Sequence, residues 1–424
     1  MLPLLLLGTL IREVLAPFTG HPFDFELWIR DGYYVSQGGD PYLPTNPVPN
    51  LSIPGTNVLP SIGYPPVWPF VNAAIYLIYS HLGINDRFLY YFMLKQPMIV
   101  GDLIAALLIY RIVLGESGDG VLATKAARFW LFCPYTIIIS SVWGQFDQLA
   151  LDLILVSILL VRKTSRGALV EASGILLKAI PIIFLPIFSL LQDGGLKRKI
   201  LYALTTLLVV LGVSVIPFVF PPKWSFPALF GAGTAEVLRV GTSVNYWMIL
   251  YAYSAVFNGT LSSWEILFVE VMEFAWIPSV LLASFLVVRR FKKAHIPITT
   301  GRLVLASLFV LMIFYLTRMR ITEQYVIYFI GLGVLDEHLA QRKNNSLFHC
   351  LWITALVFLI VDNQDMLLFL SPISELFLKA ALQLNAGIFQ KLNIVILVAC
   401  SSLFTTFCII YIDSLWKERK FLKV

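Results

Sequence analysis

Charge is scarce in this sequence. Asp, Glu, Lys and Arg supply 13% of its 424 residues and hydrophobic types 58%, with a mean hydropathy of +0.81. An ordinary soluble domain is about 45–50% apolar, so the shortage excludes a water-soluble globule and points to a bilayer as the main solvent. Cysteine is also rare: Cys133, Cys350, Cys400 and Cys408 all lie in apolar stretches, where a thiol behaves as a small hydrophobe. Neither a disulfide framework nor a metal finger is expected, and the five histidines show no ligand spacing. The sequence has no G-x-x-x-x-G-K-[ST] phosphate loop, no H-E-x-x-H zinc helix and no G-x-S-x-G elbow, which sets those three chemistries aside. No internal repeat or low-complexity tract is visible.

Apolar length is what the chain does have. At about 20 residues per spanning helix, it has room for ten or more spans and for no sizeable soluble domain. The predicted fold is all-α: a polytopic transmembrane protein of about 10–13 membrane helices, forming one domain over 1–424. The net charge of +6 does not imply nucleic acid, because the basic residues form short clusters between apolar stretches: Arg162-Lys163 with Arg166, Lys197-Arg198-Lys199, and Arg289-Arg290 with Lys292-Lys293. That pattern marks cytoplasmic loops. Met1 to about Phe18 has no basic n-region and no small-residue cleavage site, so it reads as a retained first helix.

Holding every basic cluster in the cytoplasm orients the chain. Helix 1 then runs outward, and 19–83 becomes a long first outer loop carrying Asp24, Glu26, Asp31 and Asp40. Parity requires Pro66 to Leu82 to lie on or dip into the outer face as a juxtamembrane helix. It also requires 168–192, between two basic clusters, to form a hairpin of half-spans broken at Lys178-Ala179-Ile180-Pro181. Proline removes a backbone donor and disfavours helix at the residue before it. Such backbone is tolerated at membrane depth only where it is buried in protein or lines a wet cavity. Spans follow near 91–112, 126–142, 148–161, 200–220, 264–288, 302–317, 324–336, 347–371 and 391–412, ending in the basic tail Lys417-Glu418-Arg419-Lys420.

This topology gathers ionisable groups at the outer face. Asp24 and Glu26 follow helix 1, and a solvated turn explains them as readily as a site does. Arg318, Arg320 and Glu323 sit at an outer helix junction, where arginines either grip a phosphate or carboxylate or anchor to headgroups. Lys178, deep in an apolar segment, needs a long snorkel or an anionic partner. Asp147 alone is uninformative, and Lys95 and Asp102 are expected to be structural, paired with each other or with other buried groups. Asp24 and Glu26 form a D-x-E, but two carboxylates do not define a metal site.

The ordered segments resemble the GT-C superfamily of integral membrane glycosyltransferases that use polyprenyl-phosphate-linked sugars. Asp24-Phe25-Glu26 with Trp28 is similar to the D-Y-E-x-x-x-x-W region opening the first luminal loop of dolichyl-phosphate-glucose-dependent enzymes. Gly38-Gly39-Asp40-Pro41-Tyr42 and Tyr64-Pro65-Pro66 resemble later parts of that loop. Trp143-Gly144-Gln145-Phe146-Asp147 is similar to the W-G-Q-F-D of the mannosyltransferase that adds the first mannose to glycosylphosphatidylinositol. Leu177-Lys178 with Pro181 and Leu185-Pro186 resembles the L-K-x-x-P-x-x-x-L-P break, and Thr322-Glu323-Gln324-Tyr325 the H-E-Q-Y element, with Thr322 replacing its histidine.

The resemblance implies an inverting transfer of a hexose, with mannose the commoner choice, from a polyprenyl or dolichyl phosphate to a lipid-linked or glycan acceptor. No cofactor, metal or nucleic acid is implied, and membrane lipids are the other partners. By this resemblance Asp24 is the catalytic base, and Lys178, Arg318, Arg320 and, more weakly, Arg12 face the donor phosphate. Glu26, Tyr64, Gln145, Asp147, Glu323 and Gln324 are the expected substrate contacts. The site is expected on the extracytoplasmic side of the cell membrane in a prokaryote, or of the endoplasmic reticulum in a eukaryote. A transporter or flippase for a lipid-linked sugar is the alternative, although such proteins more often show repeats and a midplane site.

Overall fold

The computed structural model describes residues 1–57, 59, 63–228, 241–257, 263–293, 297–340 and 346–417; of the basic tail, only Lys417 lies within them. The protein is all-α, and among the described residues the only β pairing is the Thr45–Leu59 bridge. In chain order the helices are α1 Leu2–Leu15, α2 Asp24–Ser36, α3 Val67–His81, α4 Arg87–Ser117, α5 Gly120–Phe132, α6 Pro134–Ile137, α7 Asp147–Leu160, α8 Thr164–Leu177 and α9 Leu185–Leu190. There follow α10 Gly195–Val219, α11 Met248–Phe257, α12 Ser263–Glu273, α13 Trp276–Lys293, α14 Thr300–Thr317, α15 Val326–Ala340, α16 Ser346–Asp362, α17 Glu375–Leu384 and α18 Gly387–Lys417.

Among the described residues, five stretches are long and apolar enough to cross a membrane: Arg87–Ser117, Gly195–Val219, Trp264–Lys293, Thr300–Thr317 and Gly387–Lys417. A sixth is a pair bent by 48°, Gly120–Phe132 with Pro134–Trp143. The chain is therefore an integral membrane protein. Helix α1 has 14 residues, α7 14, α15 15 and α16 17, short of the roughly 20 that a span needs. The last two adjoin the polar cavity described below, α15 beginning just after Tyr325 and α16 ending at Asp362.

The bend after α5 has a local cause. Pro134 cannot donate to the Trp130 carbonyl and forces Cys133 into an extended conformation, ψ 122°. The Thr136 hydroxyl donates to that orphaned carbonyl at 2.8 Å. Arg12 donates to the next one, Leu131 O, at 2.8 Å and to Asp102 Oδ2 at 2.6 Å. Both Arg12 and Asp102 are fully buried, so this ion pair ties α1, α4 and the bend together. Asp102 does not pair with Lys95. Lys95 Nζ instead donates to Thr19 O and Ser141 O, each at 2.6 Å, holding the start of the first loop against the π-helical turn Ile138–Trp143.

Gly144 ends that turn at φ +88°, and a Cβ there would lie 2.5 Å from the Phe25 ring. Gly144→Ala is expected to destabilise the fold by about 2–4 kcal/mol, combining left-handed backbone strain and overpacking. Thermal unfolding in detergent reads this directly; an unchanged transition would show that Phe25 gives way freely.

The first loop is a folded layer. The Arg30 guanidinium donates to Glu26 Oε1 at 2.6 Å, to Thr45 O at 2.6 Å and to Asn57 O at 2.7 Å, and Glu26 Oε2 accepts the Ile53 amide at 2.6 Å. Trp28 donates to Gly144 O at 3.0 Å, and Trp68 stacks on Phe146 at 4.1 Å. Helix α3, 15 residues long, lies against α2 and α4. The basic clusters collect at the far end of the bundle, where Arg162 donates to Ile298 O and Lys199 lies beside Lys292.

Candidate active site

At the other end, the first loop, the break after α8, the α14–α15 junction and the end of α16 enclose a cavity of about 480 Å³. Asp24 opens onto it from the first turn of α2, where the helix dipole favours a carboxylate. Its Oδ2 accepts the Trp143 indole N–H at 2.8 Å, and its side chain is 18% exposed. His21 supports this geometry. Its ring stacks on Trp143 at 4.9 Å, and its Nδ1 accepts the backbone amides of Phe23 and Asp24 at 3.3 and 3.2 Å. Burial pushes the imidazole below its ordinary value, outweighing the raising influence of the Asp24 and Asp362 carboxylates. At neutral pH His21 is therefore uncharged, which its acceptor role at Nδ1 requires.

Lys178 enters from the chain break. Its backbone is extended, φ −150° and ψ 138°, ahead of the 3-10 turn Ile180–Phe184 that contains Pro181. The ammonium bonds Asp147 Oδ2 at 2.5 Å. It also lies 5.1, 4.9 and 5.5 Å from the ring centres of Tyr64, Phe146 and Tyr325. A carboxylate and aromatic faces together hold a cation in a site it could not occupy alone.

The third wall is the α14–α15 junction. Asn245 Nδ2 donates to Tyr315 O at 2.7 Å and to Arg318 O at 2.8 Å, while Val244 N donates to Ile321 O at 2.8 Å. These bonds fix the turn that presents Arg318, Arg320, Glu323 and Gln324 to the cavity. Arg318 reaches Glu273 Oε1 at 3.4 Å. The Arg320 guanidinium passes Gly241 so closely that a Cβ there would sit 3.1 Å from it. Glu323 is buried, and burial together with the neighbouring Asp362 carboxyl pushes it well above the ordinary carboxylate range. Asp362 itself accepts the Thr242 hydroxyl at 2.9 Å.

Asp24, Tyr64, Lys178, Arg318, Arg320, Glu323 and Gln324 thus meet around one cavity, with Asp147 behind Lys178. Three other expected site residues lie elsewhere. Arg12 is consumed by Asp102 and Leu131 O, Glu26 by Arg30 and Ile53, and Gln145 is fully buried outside the cavity lining. Conversely, sequence reasoning overlooked His21, Trp143, Glu273 and Asp362 as cavity residues. The signal for the last two was available, since each is an acid inside a stretch read as a span, where ionisable groups are costly and mark function.

Among the described residues, no three His, Cys, Asp or Glu side chains converge as a metal site. Compared with family models and with curated proteins, the chain matches none.

Proposed function

We propose that this protein is a membrane hexosyltransferase. It takes a sugar, mannose by the resemblance above, from a polyprenyl or dolichyl phosphate and passes it to a lipid-linked or glycan acceptor on the extracytoplasmic side. The observation that carries this reading is one cavity in which an oriented carboxylate, Asp24, shares the space with the cations Lys178, Arg318 and Arg320. Basic clusters at the opposite end of the bundle support the orientation.

In this mechanism the acceptor hydroxyl attacks the anomeric carbon as the bond from that carbon to the phosphate oxygen breaks. Asp24 takes the hydroxyl proton, and configuration inverts. The phosphate leaves with growing negative charge, and cations fixed in advance stabilise that state more than the ground state. Trp143 and His21 position Asp24. Tyr64, Glu323 and Gln324 offer hydrogen bonds to sugar hydroxyls, and the apolar wall formed by Trp247, Leu250, Trp276 and Phe314 suits the first isoprene units of the donor.

The test incubates purified protein with polyprenyl-phosphate mannose or polyprenyl-phosphate glucose and with lipid-linked and free glycan acceptors. The expected result is a glycosylated acceptor of inverted configuration, with an equal amount of polyprenyl phosphate. If no lipid-phosphate sugar is consumed, the reading fails and the transporter or flippase alternative takes its place.

A further inference from the structure

The cations of the cavity already face acidic side chains. Among the described residues its lining cations are Lys178, Arg318 and Arg320, and its lining carboxyl groups are Asp24, Glu273, Glu323 and Asp362, with Asp147 bonded to Lys178. A phosphate that enters must therefore compete with carboxylates already in place. The competitors differ in how firmly they are held. Asp147 is completely buried against Lys178 at 2.5 Å and stands on the first turn of α7, so it cannot leave without stranding a lysine. Glu273 meets Arg318 at 3.4 Å, a longer approach, and the two side chains are 10% and 27% exposed. It is the last residue of α12, next to the Phe274-Ala275 turn that separates α12 from α13. The Arg318 guanidinium has a second anchor, because its Nε donates to Arg320 O at 3.2 Å, so it keeps its aim when Glu273 moves off.

Resting on the hexosyltransferase reading, we propose that Glu273 is a placeholder for the donor's phosphate: it occupies Arg318 between turnovers and yields the guanidinium when a polyprenyl phosphate binds. A carboxylate and a phosphate present the same paired oxygens to an arginine fork, so one can replace the other without repacking the wall. Glu273 is then a positioning residue. It keeps a desolvated arginine paired until the next donor arrives, and its return to Arg318 helps expel the polyprenyl phosphate product. The transfer chemistry itself does not involve it.

The experiment measures binding of polyprenyl phosphate, without sugar, to wild type, Glu273→Gln, Arg318→Gln and the double variant, alongside donor KM and kcat. Glu273→Gln is expected to bind several-fold more tightly, the scale of one partly exposed ion pair no longer contested. Its KM and kcat should fall together as product release slows. Arg318→Gln should bind more weakly, and adding Glu273→Gln to it should bring no gain, because the competition runs through that one guanidinium. Unchanged or weaker binding by Glu273→Gln, with wild-type thermal stability, overturns the placeholder while leaving the hexosyltransferase reading intact. If wild type binds no polyprenyl phosphate at all, both fail.

Discussion

Asp24→Asn is expected to lower hexose transfer by about 10²-fold to 10⁴-fold, the usual contribution of a positioned general base. Asparagine keeps the shape of the side chain, and its amide oxygen still accepts the Trp143 N–H that Asp24 Oδ2 accepts at 2.8 Å. It cannot, however, take the acceptor's proton. The loss should therefore appear in kcat, with donor KM almost unchanged, since an interaction made only in the transition state does not affect ground-state binding. The fold should barely register the change. Losing a carboxylate from the first turn of α2 costs about 0.3–1 kcal/mol through the helix dipole, too little to explain inactivity by unfolding. Equal turnover by mutant and wild type would remove Asp24 as the base.

Arg12→Met should act in the opposite sense, on stability rather than on donor binding. The arginine is fully buried and bonds Asp102 at 2.6 Å, Leu131 O at 2.8 Å and Thr136 Oγ1 at 3.2 Å. Removing it takes the ion-pair partner from the Asp102 carboxylate and the donor from the Leu131 carbonyl in an apolar bundle. Breaking a buried pair from one side costs about 3–5 kcal/mol, whereas replacing both partners by apolar groups is often close to neutral. A large drop in the unfolding transition is therefore expected for Arg12→Met, with substantial recovery in Arg12→Met/Asp102→Leu. Polyprenyl phosphate binding by the protein that remains folded should be normal. Selective loss of that binding, with stability intact, would return Arg12 to the donor site.

These expectations differ because sequence and structure answer different questions about a charged residue. Lys178 was legible from the sequence in two ways: as a lysine too deep to reach water without a partner, and as a residue at the start of a proline-driven helix break. Both are local properties of the chain, and the extended backbone at Lys178 follows from them. The junction holding Arg318, Arg320 and Glu323 was likewise legible, since polar residues interrupt two apolar stretches there. Arg12 and Glu26 carry the same kind of signal, an ionisable group beside an apolar helix, yet both turn inward to build the scaffold. Nothing local distinguishes these outcomes, because a buried charge takes whichever partner the helix packing brings within reach.

Composition and the spacing of basic clusters by themselves determined a polytopic helical membrane protein, because bilayer solvation acts on every segment independently of its neighbours. Only the tertiary structure decided which charges share the cavity. It brought Asp24 to Trp143 and His21, gave Lys178 to Asp147, and set Glu273 and Asp362, both far along the chain from Asp24, around the same space. Ion pairs and hydrogen bonds act over a few ångströms between groups far apart in sequence, and that proximity exists only once the helices have packed.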